Sequence, residues 1–172
     1  IELITRNPRV LEVVNSLANS GLDVLNLSLD TLSSVRYQEI TGKKDFSTYL
    51  NAIIQSASLI FCKINMVILP DTSPDEIYDM IDFCRNFGIR ELKLLDYIDD
   101  MPARRNLQKE NQASIFQSIY RKLDLLSVSK TRIFQGGFGN PMNDFEVAKN
   151  FHVICKDSSL GAWYVPQCLE CH

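Results

Sequence analysis

The chain has 172 residues, 45% of them hydrophobic and 23% charged, the balance of about one globular domain able to bury a core. Eighteen basic and twenty-one acidic side chains leave a formal net charge of −3, which offers no broad electropositive surface to a nucleic acid polymer or an anionic membrane. No apolar run approaches the roughly 20 residues that span a bilayer, and the N-terminus lacks the order of a signal peptide, so the sequence reads as soluble and cytoplasmic.

Periodicities of 2 and 3.6 alternate along the chain. Ile1 to Thr5 is short and strand-like, and Val10, Leu11, Val14, Leu17 and Ala18 then recur at helical spacing up to Gly21. In a second strand, Val24 to Asp30, Leu25, Leu27 and Leu29 share one face while Asn26, Ser28 and Asp30 share the other. Helical signals follow around Ser33 to Ile40, then through Phe46, Leu50, Ile53, Ile54 and Ala57. Cys62 to Leu69 is a third strand. Ser73, Pro74 and Glu76 predict a capping box for a helix carrying Ile77, Met80, Ile81 and Cys84 inward and stopping at Gly88. A fourth strand is predicted from Leu92 to Ile98, then a helix over Glu110 to Leu126. Beyond Ser127 the signal weakens, and Gly136, Gly137, Gly139 and Asn140-Pro141 suggest turns. The expected organisation is an α/β unit over 1–126 and an irregular C-terminal extension over 127–172.

Strand–helix alternation of this kind predicts βαβ units and a parallel sheet. Polar residues recur inside its strands: Asn26 and Ser28, Lys63 and Asn65, then Lys93. Burying a lysine is costly unless it is paired, so these lysines either meet a carboxylate, an anionic ligand or water on a concave inner face, or lie near strand ends and snorkel. Gly42-Lys43-Lys44 lacks a glycine at P-loop spacing and reads as a helix end, and Asp96, Asp99 and Asp100 read as a solvated acidic loop.

Five cysteines, an odd number without a secretory signal, argue against a disulfide framework. Cys62 and Cys84 sit in a strand and on an apolar helix stripe, as small hydrophobes do. Cys168-Leu-Glu-Cys171 is a metal-type pair: half of an iron–sulfur site, a zinc site completed by Cys155 and His172, or a haem attachment, which would require export. The chain starts at Ile1 rather than Met and stops one residue past that pair, so both ends read as cut.

The segment Gly21-Leu-Asp-Val-Leu-Asn-Leu-Ser-Leu-Asp-Thr-Leu32, followed by Tyr37-Gln-Glu-Ile-Thr-Gly42, Lys63-Ile-Asn-Met-Val67, Asp75-Glu-Ile77, Phe83 and Gly88-Ile89, resembles the MoaA-type radical S-adenosylmethionine (SAM) enzymes. These are GTP 3′,8-cyclases of molybdenum cofactor biosynthesis, with relatives that modify peptides and cofactors. The likeness covers residues 1 to 101 and is weaker afterwards. It implies a partial (β/α)6 barrel, of which this chain would hold the last four strands, with SAM and a [4Fe-4S] cluster on the concave face. It also implies an enzyme that generates a 5′-deoxyadenosyl radical to abstract a hydrogen from a small-molecule or nucleotide substrate.

The family's Cys-x3-Cys-x2-Cys cluster loop and its Gly-Gly-Glu-Pro-like turn do not occur in the sequence, so the 172 residues alone are expected to be inactive. By resemblance, Ser28, with Asn26 beside it, and the backbone of Ile98 fall at SAM-contacting positions, while Thr5, Lys63 and Lys93 fall on the substrate side. Lys93 stands where cyclases often carry arginine, and Arg6 replaces the second threonine of a Thr-Thr-Asn. Cys168 and Cys171 match half of a second [4Fe-4S] site, zinc being the competing assignment. No catalytic side chain is assigned. The alternatives are a non-catalytic half-barrel binding module with a nucleotide or zinc site, and a peptide- or cofactor-modifying radical SAM enzyme. An exposed edge at Ile1 to Thr5, which natural sheets normally cover, argues against the free-standing module.

Overall fold

A computed structural model describes residues 1–97, 105–134 and 141–156. In chain order the elements are β1 (Glu2–Thr5), α1 (Val10–Asn19), β2 (Val24–Ser28), α2 (Ser34–Thr41), α3 (Phe46–Ala57), β3 (Phe61–Ile68), α4 (Pro74–Asn86), β4 (Glu91–Asp96), α5 (Arg105–Leu126), β5 (Ser129–Phe134), β6 (Pro141–Ala148) and β7 (Phe151–Lys156). The four predicted strands and their helices are present, each within a few residues of its expected ends. The predicted capping box forms, with the Ser73 hydroxyl accepting from the Glu76 amide and the Glu76 carboxylate accepting from the Ser73 amide. Gly42 closes α2 at φ 71°, a left-handed conformation that favours glycine.

The strands form one sheet in the order β1-β2-β3-β4-β7-β6-β5. β1 to β4 are parallel and adjacent in sequence order, so every crossover steps the same way across the sheet. Because such crossovers keep one hand, they put their helices on the same face, the arrangement of an opened barrel rather than of a doubly wound sheet. Burial agrees. Leu25, Leu27, Cys62, Ile64, Met66, Ile68, Leu92 and Leu94 are at most 0% exposed and pack with Val14, Ile53, Met80, Ile119 and Leu123 of the helices in one core. The alternate strand residues form the opposite face, where most side chains stay partly exposed.

The segment expected to be irregular from residue 127 contains three strands. β7 joins β4 in parallel, and β6 and β5 continue from it antiparallel. The apolar alternation there is masked in two places. Lys130 occupies a core-side position opposite Phe145 and lays its ammonium 4.8 Å from that ring, and a register shift between Glu146 and Ala148 breaks the period. Gly136, Gly137, Gly139 and Asn140 lie outside the described residues.

Candidate cofactor and substrate face

The open face is built from residues that sequence alternation makes polar. Pairing registers line up Asn26, Lys63, Glu91, His152 and Glu146 in one row across the sheet. The next row, one pleat nearer the C-terminal strand ends, holds Ser28, Asn65, Lys93, Ile154 and Asp144. Asn26, Ser28, Lys63 and Lys93, identified from the sequence, therefore share one face. Thr5 does not: it pairs in register with Leu27, on the helix side, and its hydroxyl accepts from the Asn7 amide to shape the turn after β1. Ile98, Cys168, Cys171 and His172 lie outside the described residues.

The two sequence lysines differ. Lys63 has a partner, its ammonium standing 3.4 Å from the Glu91 carboxylate with both side chains largely buried. Lys93 has none among the described residues. Burial pushes its pKa below the ordinary lysine value; Glu91 works against that, while Lys156 and Lys63 add to it. Lys156 pairs in register with Leu95, on the same side as Lys93 and near the ends of both strands. Lys63 thus has the carboxylate partner that one expectation named, while Lys93 has none among the described residues.

Several polar atoms on this face lack partners. Asn26 donates to Glu2 at 2.9 Å, yet its buried side-chain oxygen accepts nothing from the described residues, and the buried Asn65 oxygen is in the same state. The Ser28 hydroxyl makes no hydrogen bond among the described residues, although its backbone carbonyl accepts from the Tyr49 hydroxyl at 3.0 Å. Buried acceptors without donors are costly, and a ligand offering N–H or O–H groups would relieve that cost. Asp30 braces the strand ends: its buried carboxylate pairs with Arg6 and accepts the Val67 amide at 2.9 Å. Asn65 and Asp30 belonged to the polar pattern in the sequence but had no role assigned; Lys156 and Glu91 carried no signal that separated them from surface charge.

The described cysteines are unsuited to a cluster. Cys62, Cys84 and Cys155 are each buried in the apolar core. Burial alone pushes the Cys62 thiol up to about 12 and Cys84 upward as well, against the thiolate form that ligation needs. Cys155, weighed as a further metal ligand, pairs in register with Leu94 on the helix-packed side. Among the described residues no group of three His, Cys, Asp or Glu side chains is placed to hold a metal ion.

The sheet is similar to that of Streptococcus suis SuiB in the crystal structure bound to S-adenosylmethionine, with a TM-score of 0.53 at 17% identity over 72% of this chain and 28% of that one. A likeness at this identity defines the fold, that of a partial radical SAM barrel. Residues 1–84 match the Radical SAM superfamily model. Curated relatives include a probable GTP 3′,8-cyclase of Methanothermobacter marburgensis, 43% identical over 49% of this chain and 29% of its own length. Molybdenum cofactor biosynthesis protein 1 of Drosophila melanogaster is 35% identical over 55% of this chain and 17% of its own length. The GTP 3′,8-cyclase of Helicobacter pylori is 24% identical over 70% of this chain and 38% of its own length. Residues 1–84 are therefore radical SAM in kind, and the relatives that match this part of the chain make it MoaA-like. In each of these pairings the chain spans less than two thirds of the curated relative.

Membership implies SAM and a [4Fe-4S] cluster. The donor-starved oxygens of Asn26 and Asn65 and the free Ser28 hydroxyl fit the first, whose amino group, adenine and ribose supply N–H and O–H donors. The three described cysteines do not fit the second.

Proposed function

We propose that this chain supplies the SAM- and substrate-facing sheet of a GTP 3′,8-cyclase-type enzyme whose substrate is a nucleoside triphosphate. One observation carries the reading: the open face combines a half-buried ammonium without a carboxylate partner among the described residues, that of Lys93, with acceptors that lack donors, the complement of a ligand having both phosphates and N–H or O–H groups. When bound, SAM with its cluster supplies the radical chemistry of the family. The chain's own residues bind and orient. Ser28 and Asn26 hold the cofactor through hydrogen bonds at the β2 end, and the backbone of Ile98 contributes a further contact. Lys63 and Lys93 draw the phosphates onto β3 and β4, Glu91 holding Lys63 in place while leaving part of its charge available. The Thr5-Arg6-Asn7 turn borders the substrate, kept in position by the Arg6–Asp30 pair. Cys168 and Cys171 form a thiolate pair for a second [4Fe-4S] cluster or a zinc ion.

The test is equilibrium binding of SAM and of GTP to protein prepared without oxygen. Ser28→Ala should weaken SAM binding with little change for GTP, and Lys63→Met the reverse. A protein that binds neither ligand contradicts the proposal.

A further inference from the structure

We propose that Lys156 is a phosphate-binding residue of this face and that it acts with Lys93 as a two-ammonium clamp across β4 and β7. The inference deepens the proposed nucleotide reading and rests on it for the rest of the ligand. Three observations carry it. Lys156 ends β7 and pairs in register with Leu95, so it stands beside β4, one pleat beyond Lys93 toward the C-terminal strand ends. In parallel barrel sheets that end is where ligands are bound. Neither lysine has a carboxylate partner among the described residues, whereas the neighbouring Lys63 is matched by Glu91 at 3.4 Å and the outlying Lys130 by Asp124 at 2.9 Å. The face carries its acids elsewhere: Glu2 bonds Asn26, Asp144 bonds His152, and Glu146 accepts from Ser129.

Two like charges held near each other on one face repel, and the Lys156 charge adds to the lowering that burial imposes on Lys93. An anion carrying more than one negative charge removes the repulsion, and a phosphate chain can accept from both ammoniums at once. A single carboxylate, such as the methionine end of SAM, neutralises only one. The Asn65 oxygen, in register with Lys93 and without a donor, then lies on the side of the clamp where the remainder of the ligand offers hydroxyl or amino groups.

The probe is inorganic tripolyphosphate, titrated into the protein at two salt concentrations, with GTP and SAM titrated in parallel. Lys156→Met should weaken tripolyphosphate and GTP binding about tenfold, the loss expected for one charge-assisted contact. SAM binding should stay within about twofold, as a contact confined to the phosphates predicts. Lys122→Met removes the same charge from α5, where that ammonium lies 5.4 Å from the Tyr78 ring, and should leave tripolyphosphate binding unchanged. Lys156→Arg should retain most of the affinity, which keeps the test valid should the Met variant fail to fold. Equal losses in Lys156→Met and Lys122→Met overturn the proposal, as does a loss confined to SAM. Tripolyphosphate binding that depends on Lys156 in a protein indifferent to GTP upholds the clamp and removes the nucleotide reading; GTP binding indifferent to Lys156 does the opposite.

Discussion

Lys93 shows how one side chain can be both a cost and a function. Its pKa lies below the ordinary value of 10.5, with burial the leading cause, so the folded protein holds its proton less tightly than the unfolded chain does. Where the unfolded state binds more protons, stability rises with pH; the charged Lys93 therefore destabilises the fold at neutral pH, and that cost fades as pH climbs through the folded pKa toward 10.5. Ligand binding runs the other way, because an anion needs the charge. GTP affinity should fall on the alkaline side at a lower pH than an ordinary lysine would allow, and Lys93→Arg should flatten the profile. Titrations between neutral and alkaline pH check this; an unaltered profile in the arginine variant would remove Lys93 from the site. At Lys63 the expectation is a binding loss of roughly 1.5–3 kcal/mol for GTP on replacement by methionine, the range of a hydrogen bond to a charged group. A lower melting temperature with unchanged GTP affinity would instead make the Lys63–Glu91 pair structural.

Among the elements, α4 and the β2–β3 junction have testable energetics. Ser73→Ala removes half of the capping box and should cost about 1 kcal/mol, read as a shift in the denaturation midpoint with ligand affinities unchanged. Asp30 is different in kind, since its buried carboxylate serves Arg6 and the Val67 amide together; Asp30→Ala should cost about 3 kcal/mol, because it strands a partly buried guanidinium and an amide at once. Much of this level was legible in the sequence. The capping residues at Ser73 and Glu76 act locally, and the Leu25–Leu27–Leu29 alternation needs only one packed face, so both leave direct patterns. β5 to β7 left none, since their order depends on pairing with β4, on Lys130 standing over Phe145 where an apolar residue would ordinarily be, and on the shifted register at Glu146. Lys156 was missed with the strand that carries it. Asn26, Ser28, Lys63 and Lys93 share a face that their parity made readable before their neighbours were known, whereas Thr5 was assigned by resemblance rather than parity and pairs in register with Leu27 on the helix side.

For the molecule as a whole, the direction of the crossovers decides what the sheet can do. Helices on one side leave the opposite face free of covering elements among the described residues, and the polar strand residues collect there. Had the strand order reversed midway, helices would have covered both faces and the same lysines would have lain under them. Metal content tests the remaining assignment: in protein prepared without oxygen, Cys168→Ser/Cys171→Ser should remove iron and acid-labile sulfide, or about one equivalent of zinc, without altering SAM binding at Ser28. The most direct test of the central claim is a calorimetric titration of GTP into the wild-type protein and into a Lys63→Met/Lys93→Met double variant. An open face that binds the nucleotide predicts measurable binding in the first and a loss of at least about a hundredfold in the second; equal affinity in both, with the variant still folded, would contradict it.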